Sequence, residues 1–443
     1  MLAGISQEKA RRLIINLIFV IYWLLIFEGA LRKWAFPQYH RYIFFIRDPF
    51  VLLVYWLAFT NRLFPKKTPI FSYGIFLAVL FLLFTLLQSI TTTVGIAALI
   101  YGWRMFFFYL PLAFVIGENF NGADLKRLIR QTLFIAILTA PIIYLQHISA
   151  PAAFVNQTAE SDVIYTITGE RGGTIVRPTG TFTFFHGQQL FIGSLIAFVI
   201  AAWILPKKER PCSNRILWLG SAGAIINLAL CGTRLPYLLA ALTILAASFS
   251  SFIIRRHSIS LRAMILPISL LILAMFCFVY FFSYITEVTL ERHRGAEGLE
   301  GSVFMRAMRM LFLFTDFISK APLLGAGIGS QTSGGAVISK GSREYAGIED
   351  EWSRIIMESG PIFGFIYITF RIILVGWLLI CSVKATHLSS NPLPLLLFAF
   401  IGSVILVWNV TNYGTEMGYA WLFTGFCIAA NKLGSKEPSV WAT

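Results

Sequence analysis

Apolar runs long enough to cross a bilayer, about 20 residues each, recur from one end of this chain to the other. The stretch PIFSYGIFLAVLFLLFTLLQSI, residues 69–90, carries no charge at all. Backbone inside lipid has no water to bond its N–H and C=O groups, so open sheet edges do not survive there and helix must pack on helix. Charged residues are only 13% of the chain and hydrophobic ones 57%, where a soluble protein carries about a quarter charged. The expected fold is all-α: a polytopic integral membrane helix bundle forming one domain over residues 1–443.

Hydropathy places about twelve spans, near residues 13–30, 42–60, 70–88, 94–116, 127–147, 183–205, 216–232, 235–254, 263–286, 355–381, 391–410 and 417–432. The charges check that count. Lys9, Arg11 and Arg12, then Arg62, Lys66 and Lys67, then Lys126, Arg127 and Arg130, then Lys207, Lys208, Arg210 and Arg215 all fall in alternate gaps. So do Arg255, Arg256 and Arg262, Lys384, and Lys432 and Lys436. Short basic loops on one side mark the cytoplasmic face, so both termini are expected there, in a multi-pass protein of the inner membrane. Much of the net charge of +15 has this origin, and nucleic acid is not an expected partner. The first span follows Lys9, Arg11 and Arg12 like a signal peptide, but no small-residue cleavage site follows it, so it is expected to be retained. The five cysteines are scattered without metal-ligand spacing, and neither a metal nor another cofactor is expected.

Two long segments, about 148–182 and 287–352, then face the outside, and long loops are more often functional than connective. Cations gather on this side, which ordinarily avoids them. Arg32, Lys33, Arg41, Arg47, Arg104, Arg234 and Arg371 lie in the first outer turn or inside spans, and Arg177, Arg306, Arg309 and Arg354 lie in or beside the long segments. An anionic ligand or plain solvation of loop charge would each account for them.

Several motifs sharpen the choice. In RDPF (47–50), Arg47 and the adjacent Asp48 can partly neutralise each other, and Pro49 suits a first helical turn. Arg104 sits among aromatics in YGWRMFFFYL, where an unpaired Arg costs several kcal/mol, so pairing, snorkelling and function all compete. GGTIVRPTGTFTFFHGQQL (172–190) brings Arg177, a Thr-Gly-Thr and His186 to the start of a span. His186 reads either as a packed helix-start histidine or as a site residue. CGTRLP (231–236) breaks two apolar runs at Arg234, and an Arg beside a helix N-terminus suits phosphate. Arg306 and Arg309 share one face of a surface helix. PLLGAGIGS (322–330) resembles a phosphate loop only superficially, since no GK[ST] follows.

The stretch GIEDEWSRIIMESGPIFG (347–364) crowds charge against a span. On a helix from residue 350, Asp350, Glu351, Arg354 and Glu358 share an arc of about 100°. They form either a self-neutralising ladder or a general base beside a phosphate-binding Arg. Glu349 lies off that arc or in the preceding loop, and Gly360-Pro361 permits a break.

The GTR break, the long outer segment with PLLGAGIGS, the acidic run ending EsGPifG and the RPTGTF segment together resemble the bacterial O-antigen ligase and O-antigen polymerase family of membrane glycosyltransferases, over about residues 170–370. The resemblance implies a GT-C type architecture of about twelve membrane helices and metal-independent, inverting transfer at the outer face. The substrate it implies is an undecaprenyl-pyrophosphate-linked oligosaccharide, the acceptor a glycan or lipid hydroxyl, with membrane lipids around it and chain-length regulator and flippase proteins as partners. Arg234, Arg306 and Arg177, then Arg104 and Arg354, would hold the pyrophosphate; Glu349 or Glu351 would be the base, with His186, Arg309 and Glu358 as further candidates. Ligase members place a His-Asn pair where this chain has Glu349 and Asp350, which favours a polymerase. A flippase of lipid-linked oligosaccharide is the competing class, although the two halves of the chain show no internal repeat of the kind transporters carry.

Overall fold

The computed structural model describes residues 6–65, 68–159, 166–168, 174–233, 235–254, 313–339, 348 and 350–436. Arg234, Arg306, Arg309, Glu349 and the expected span 263–286 lie outside the described residues. In chain order the helices are α1 (Gln7–Ala30), α2 (His40–Ile43), α3 (Asp48–Thr60), α4 (Pro69–Thr91), α5 (Ile96–Trp103), α6 (Leu110–Asn119), α7 (Gly122–Ile148), α8 (Phe185–Ile204), α9 (Asn214–Ala229) and α10 (Leu235–Ile253). They continue as α11 (Thr315–Ile318), α12 (Ser333–Ser339), α13 (Glu351–Ser389), α14 (Leu393–Val407) and α15 (Gly414–Lys436). Two short strands, β1 (Thr166–Thr168) and β2 (Thr174–Val176), pair antiparallel with Ile167 opposite Ile175.

Eight helical stretches among the described residues are long and apolar enough to cross a membrane: Gln7–Ala35, Pro37–Thr60, Pro69–Thr91, Ile96–Asn119, Gly122–Ile148, Phe185–Ile204, Leu235–Ile253 and Glu351–Ser389. Three more expected spans coincide with α9, α14 and α15, of which α9 and α14 are only 16 and 15 residues long. The outward faces are apolar. On α4, Phe76, Leu83 and Ile90 share one face and are 60%, 60% and 83% exposed, while Leu77, Phe81, Phe84 and Gln88 are buried. A helix in water would put charge on that outer face; this one presents the surface lipid requires.

The helices start where sequence supplies a cap. Thr68 precedes the Pro of α4 and accepts from the Phe71 N–H, and Asn121 and Asp124 form a reciprocal capping box on α7. Asp350 caps α13 by accepting from the Ser353 N–H (2.8 Å) and hydroxyl (2.6 Å), so it does not join the ladder with Arg354 that the i,i+4 spacing suggests. Small residues admit close crossings in lipid: α9 meets α7 at Gly223, where a Cβ would stand 2.7 Å from the Ala136 carbonyl oxygen.

Polar contacts collect at the two ends of the bundle. At the end carrying the basic loops, Arg11 donates to the Asn119 carbonyl (2.9 Å) and to Asp124 (2.6 Å), Asn119 donates to the Leu63 carbonyl (3.0 Å), and Lys432 pairs with Glu118. The opposite end gathers the end of α1, the start of α3, the π-turn Arg104–Phe108, and the starts of α8, α13 and α15. That is the alternation the loop charges require. Two local expectations change. Arg47 and Asp48 share charge through space, but each makes its hydrogen-bonded ion pair with a separate partner, Arg47 with Glu28 and Asp48 with Arg104. The 148–182 segment is more than loop: after β2, Thr179 and Thr181 are buried against the end of α1, where Thr181 donates to the Ile26 carbonyl (2.6 Å).

Candidate functional site

The charged end is built in three adjoining groups. The first lies at the start of α13. Arg354 donates to Glu351 (2.5 Å), to the Thr411 hydroxyl (2.5 Å) and, one turn on, to Glu358 (3.1 Å). Arg371, about three turns past the Gly360 break, returns to Glu351 (2.8 Å) and donates to the carbonyls of Ile405 (2.6 Å) and Trp408 (3.3 Å). The Thr411 N–H and hydroxyl complete Glu351 at 2.9 and 3.0 Å. All four charged side chains are no more than 1% exposed. Two guanidiniums and two carboxylates balance, so this group neutralises itself.

Glu358 also explains PLLGAGIGS. Gly325, Gly327 and Gly329 all have positive φ, which turns successive N–H groups inward. The Gly329 and Gln331 N–H groups donate to the Glu358 carboxylate at 3.1 and 2.9 Å. Such a nest binds anions, and here the anion is the protein's own. Gln88 of α4 locks it by donating to the carbonyls of Leu324 (2.6 Å) and Glu358 (3.0 Å) and accepting from the Ile328 N–H (2.9 Å). Gly360, at φ 74° and ψ 164°, interrupts α13 just there.

The second group surrounds the end of α1. Arg47 donates to Glu28 (2.8 Å) and to the Gly414 carbonyl (3.0 Å), and Arg32 stands 3.5 Å from Glu28. Arg104 grips Asp48 with two bonds (2.6 and 2.8 Å), while Tyr109 adds a third (3.0 Å). Its guanidinium also lies 5.1 Å from the Phe45 ring centre. Structural pairing therefore describes Arg104. Lys33 is 2% exposed and donates to the Thr179 hydroxyl (2.9 Å) and the Gly180 carbonyl (2.7 Å). Among the described residues it has no carboxylate partner.

The third group is the most open. His186, in the first turn of α8, holds its Nδ1 2.7 Å from Glu416 of α15; the carboxylate is buried and the imidazole a quarter exposed. Phe184, Phe185, Trp408 and Tyr413 surround the imidazole with ring centres 4.5–5.8 Å away, mostly edge to face. Arg177 lies 5.4 Å from the Phe185 ring centre. Its Nε has no hydrogen-bond partner among the described residues.

The structure thus brings Glu351, Arg354 and Glu358 into one closed network and places Arg177 and His186 each next to Phe185. Arg104 stands in the α1 group, and Arg234, Arg306, Arg309 and Glu349 lie outside the described residues. Glu351 accepts four hydrogen bonds, three on Oε1 and one on Oε2, inside a network that is buried from solvent. Glu28 and Glu416 are the residues that sequence reading passed over. Each is a single acid against an apolar run, in WLLIFEGAL and GTEMGYAWLF, and an intramembrane acid requires a partner. Among the described residues no three His, Cys, Asp or Glu side chains assemble as metal ligands. No protein-family profile matches the chain, and no curated protein matches it.

Proposed function

We propose that this protein is a membrane glycosyltransferase of GT-C type with about twelve spans, acting on a glycan carried by undecaprenyl pyrophosphate. In this reading it joins repeat units of O-antigen, capsule or exopolysaccharide at the outer face of the inner membrane, by inverting transfer that uses no metal. The observation that carries the reading is the surplus of cation at one end of the bundle. Lys33 and Arg177 have no carboxylate partner among the described residues, while the arginines of α13 are neutralised in place.

The chemistry asks for such a surplus. As the sugar–pyrophosphate bond breaks, negative charge grows on the leaving group, and fixed guanidiniums in a poorly hydrated site stabilise it without reorganising. Arg177 is the described residue best suited to that contact, with Arg234 and Arg306 its expected companions from the sequence motifs. Arg354 and Arg371 are neutralised by Glu351 and Glu358 and leave that contact to the cations without a carboxylate partner among the described residues.

The test is purified protein in liposomes with a lipid-linked repeat unit. A ladder of products is expected; transfer only to an added core acceptor would instead mark a ligase. Arg177→Ala and Arg234→Ala should each lower the rate by about 100-fold, as removal of one charge-stabilising donor does, with unchanged protein in the membrane. Movement of intact donor across the bilayer without any bond cleavage would replace this reading by that of a flippase.

A further inference from the structure

We propose that His186, oriented by Glu416, takes the proton of the acceptor hydroxyl. The inference rests on the glycosyltransferase reading and adds the group that activates the acceptor. Glu416 accepts from Nδ1–H at 2.7 Å. That bond fixes the neutral ring in the tautomer whose Nε2 carries a lone pair, and Nε2 has no partner among the described residues. A buried carboxylate, an imidazole a quarter exposed and an open ring nitrogen form the oriented base of a dyad.

The surroundings suit a sugar hydroxyl. Phe184 and Tyr413 stack at 5.5 Å and 16° beside the imidazole, and Trp408 closes a third side. In this proposal the acceptor sugar lies against the aromatic wall with its hydroxyl at the imidazole. Arg177 lies 5.4 Å from the Phe185 ring centre and the imidazole 4.6 Å from it, so base and phosphate-binding cation neighbour one ring. The acceptor oxygen attacks the anomeric carbon, the carbon–oxygen bond to the pyrophosphate breaks, the electron pair leaves with the pyrophosphate, and the hydroxyl proton passes to Nε2. Water then takes that proton from the imidazolium. The charged groups facing the dyad are Glu416 from α15 and Arg177 from the segment before α8, with Arg47 of the α1 group close by through Gly414 and Gly418.

The experiment compares wild type, His186→Gly, His186→Gln, Glu416→Gln and Glu349→Gln in the liposome assay, with donor binding measured separately. Wild type must first form product; if it forms none, the glycosyltransferase reading fails and this inference with it. Given product, His186→Gly and His186→Gln are expected to lose about 100-fold or more in turnover, the usual contribution of a general base, with donor affinity kept. Added imidazole is expected to restore His186→Gly. Glu416→Gln is expected to lower kcat with KM for the donor unchanged, and to add nothing in a His186→Gly background. Full activity in His186→Gln, or His186→Gly that imidazole does not restore, overturns the proposal while leaving the reading intact. So does abolition by Glu349→Gln with His186→Gln active.

Discussion

Glu351 is where charge, burial and bonding can be weighed against one another. Its carboxylate is 1% exposed and meets Arg354, Arg371 and two donors of Thr411. Taking two ions out of water costs so much that a buried pair stabilises little by itself, yet removing one partner leaves a buried charge and costs about 3–5 kcal/mol. Glu351→Gln leaves two guanidiniums facing Glu358 alone. The expected outcome is a large fall in the thermal midpoint of the purified protein, with residual transfer in proportion to what folds. A normal midpoint with abolished transfer would restore Glu351 as the base. The same weighing applies to Lys33, whose acceptors are neutral: Lys33→Met keeps the length of the side chain and drops the charge. It is expected to fold, because it removes a buried charge that has no carboxylate partner among the described residues, and to bind pyrophosphate donor less tightly. Unchanged donor affinity in a direct binding assay would remove Lys33 from the cationic surplus. From sequence, the ladder on 350–358 was half legible. The i,i+4 pair Arg354–Glu358 follows from helix geometry, but Asp350 turned to capping, and Arg371 and Thr411 reach Glu351 only through the tertiary fold.

At the scale of the element, α13 and the glycine loop form one device. Helix periodicity and Gly360-Pro361 announce a span with a break, and the break is found. What periodicity cannot show is why the break is tolerated. Its freed backbone is bonded by the loop: the Ala326 N–H donates to the Met357 carbonyl (2.8 Å) and the Gly327 N–H to that of Glu358 (3.1 Å). The loop looks like a phosphate cradle in sequence because the same physics, N–H groups turned inward by positive φ, binds any anion. That the anion is Glu358, almost thirty residues later, is a long-range fact invisible to a motif. Gly325 has φ 70° and no room, since a Cβ would stand 2.6 Å from the Glu358 carbonyl carbon. Gly325→Ala is therefore expected to cost more than the ordinary Gly-to-Ala difference, about 1–3 kcal/mol of strain, and to open the loop. Faster proteolysis between residues 313 and 339 at unchanged pH would register it, and wild-type resistance would refute the coupling.

Across the whole molecule, the two ends differ in kind, and this asymmetry ties fold to function. One end holds short basic loops with pairs such as Arg11–Asp124; the other buries most of its charge in networks and leaves Arg177 and His186 half-buried. The apolar spans, eight of them long and apolar enough to cross a membrane among the described residues, were legible because lipid imposes a coarse rule on every helix alike. The separate partners of Arg47 and Asp48 were not, because adjacency in sequence says nothing of who stands opposite across a bundle. If the basic loops are cytoplasmic, the networked end faces outward, and the proposed transfer would take place there. In a background lacking Cys212, Cys231, Cys277, Cys381 and Cys427, Gln157→Cys tests the networked end and Lys208→Cys the basic one, both at exposed positions. A membrane-impermeant thiol reagent applied outside the inner membrane is expected to label position 157 in intact spheroplasts and position 208 only after permeabilisation. The opposite pattern would put the cationic surplus in the cytoplasm. A polymerase of outer-face glycan could not then be the function, because its donor sugar would lie on the far side of the membrane from every residue proposed to hold it.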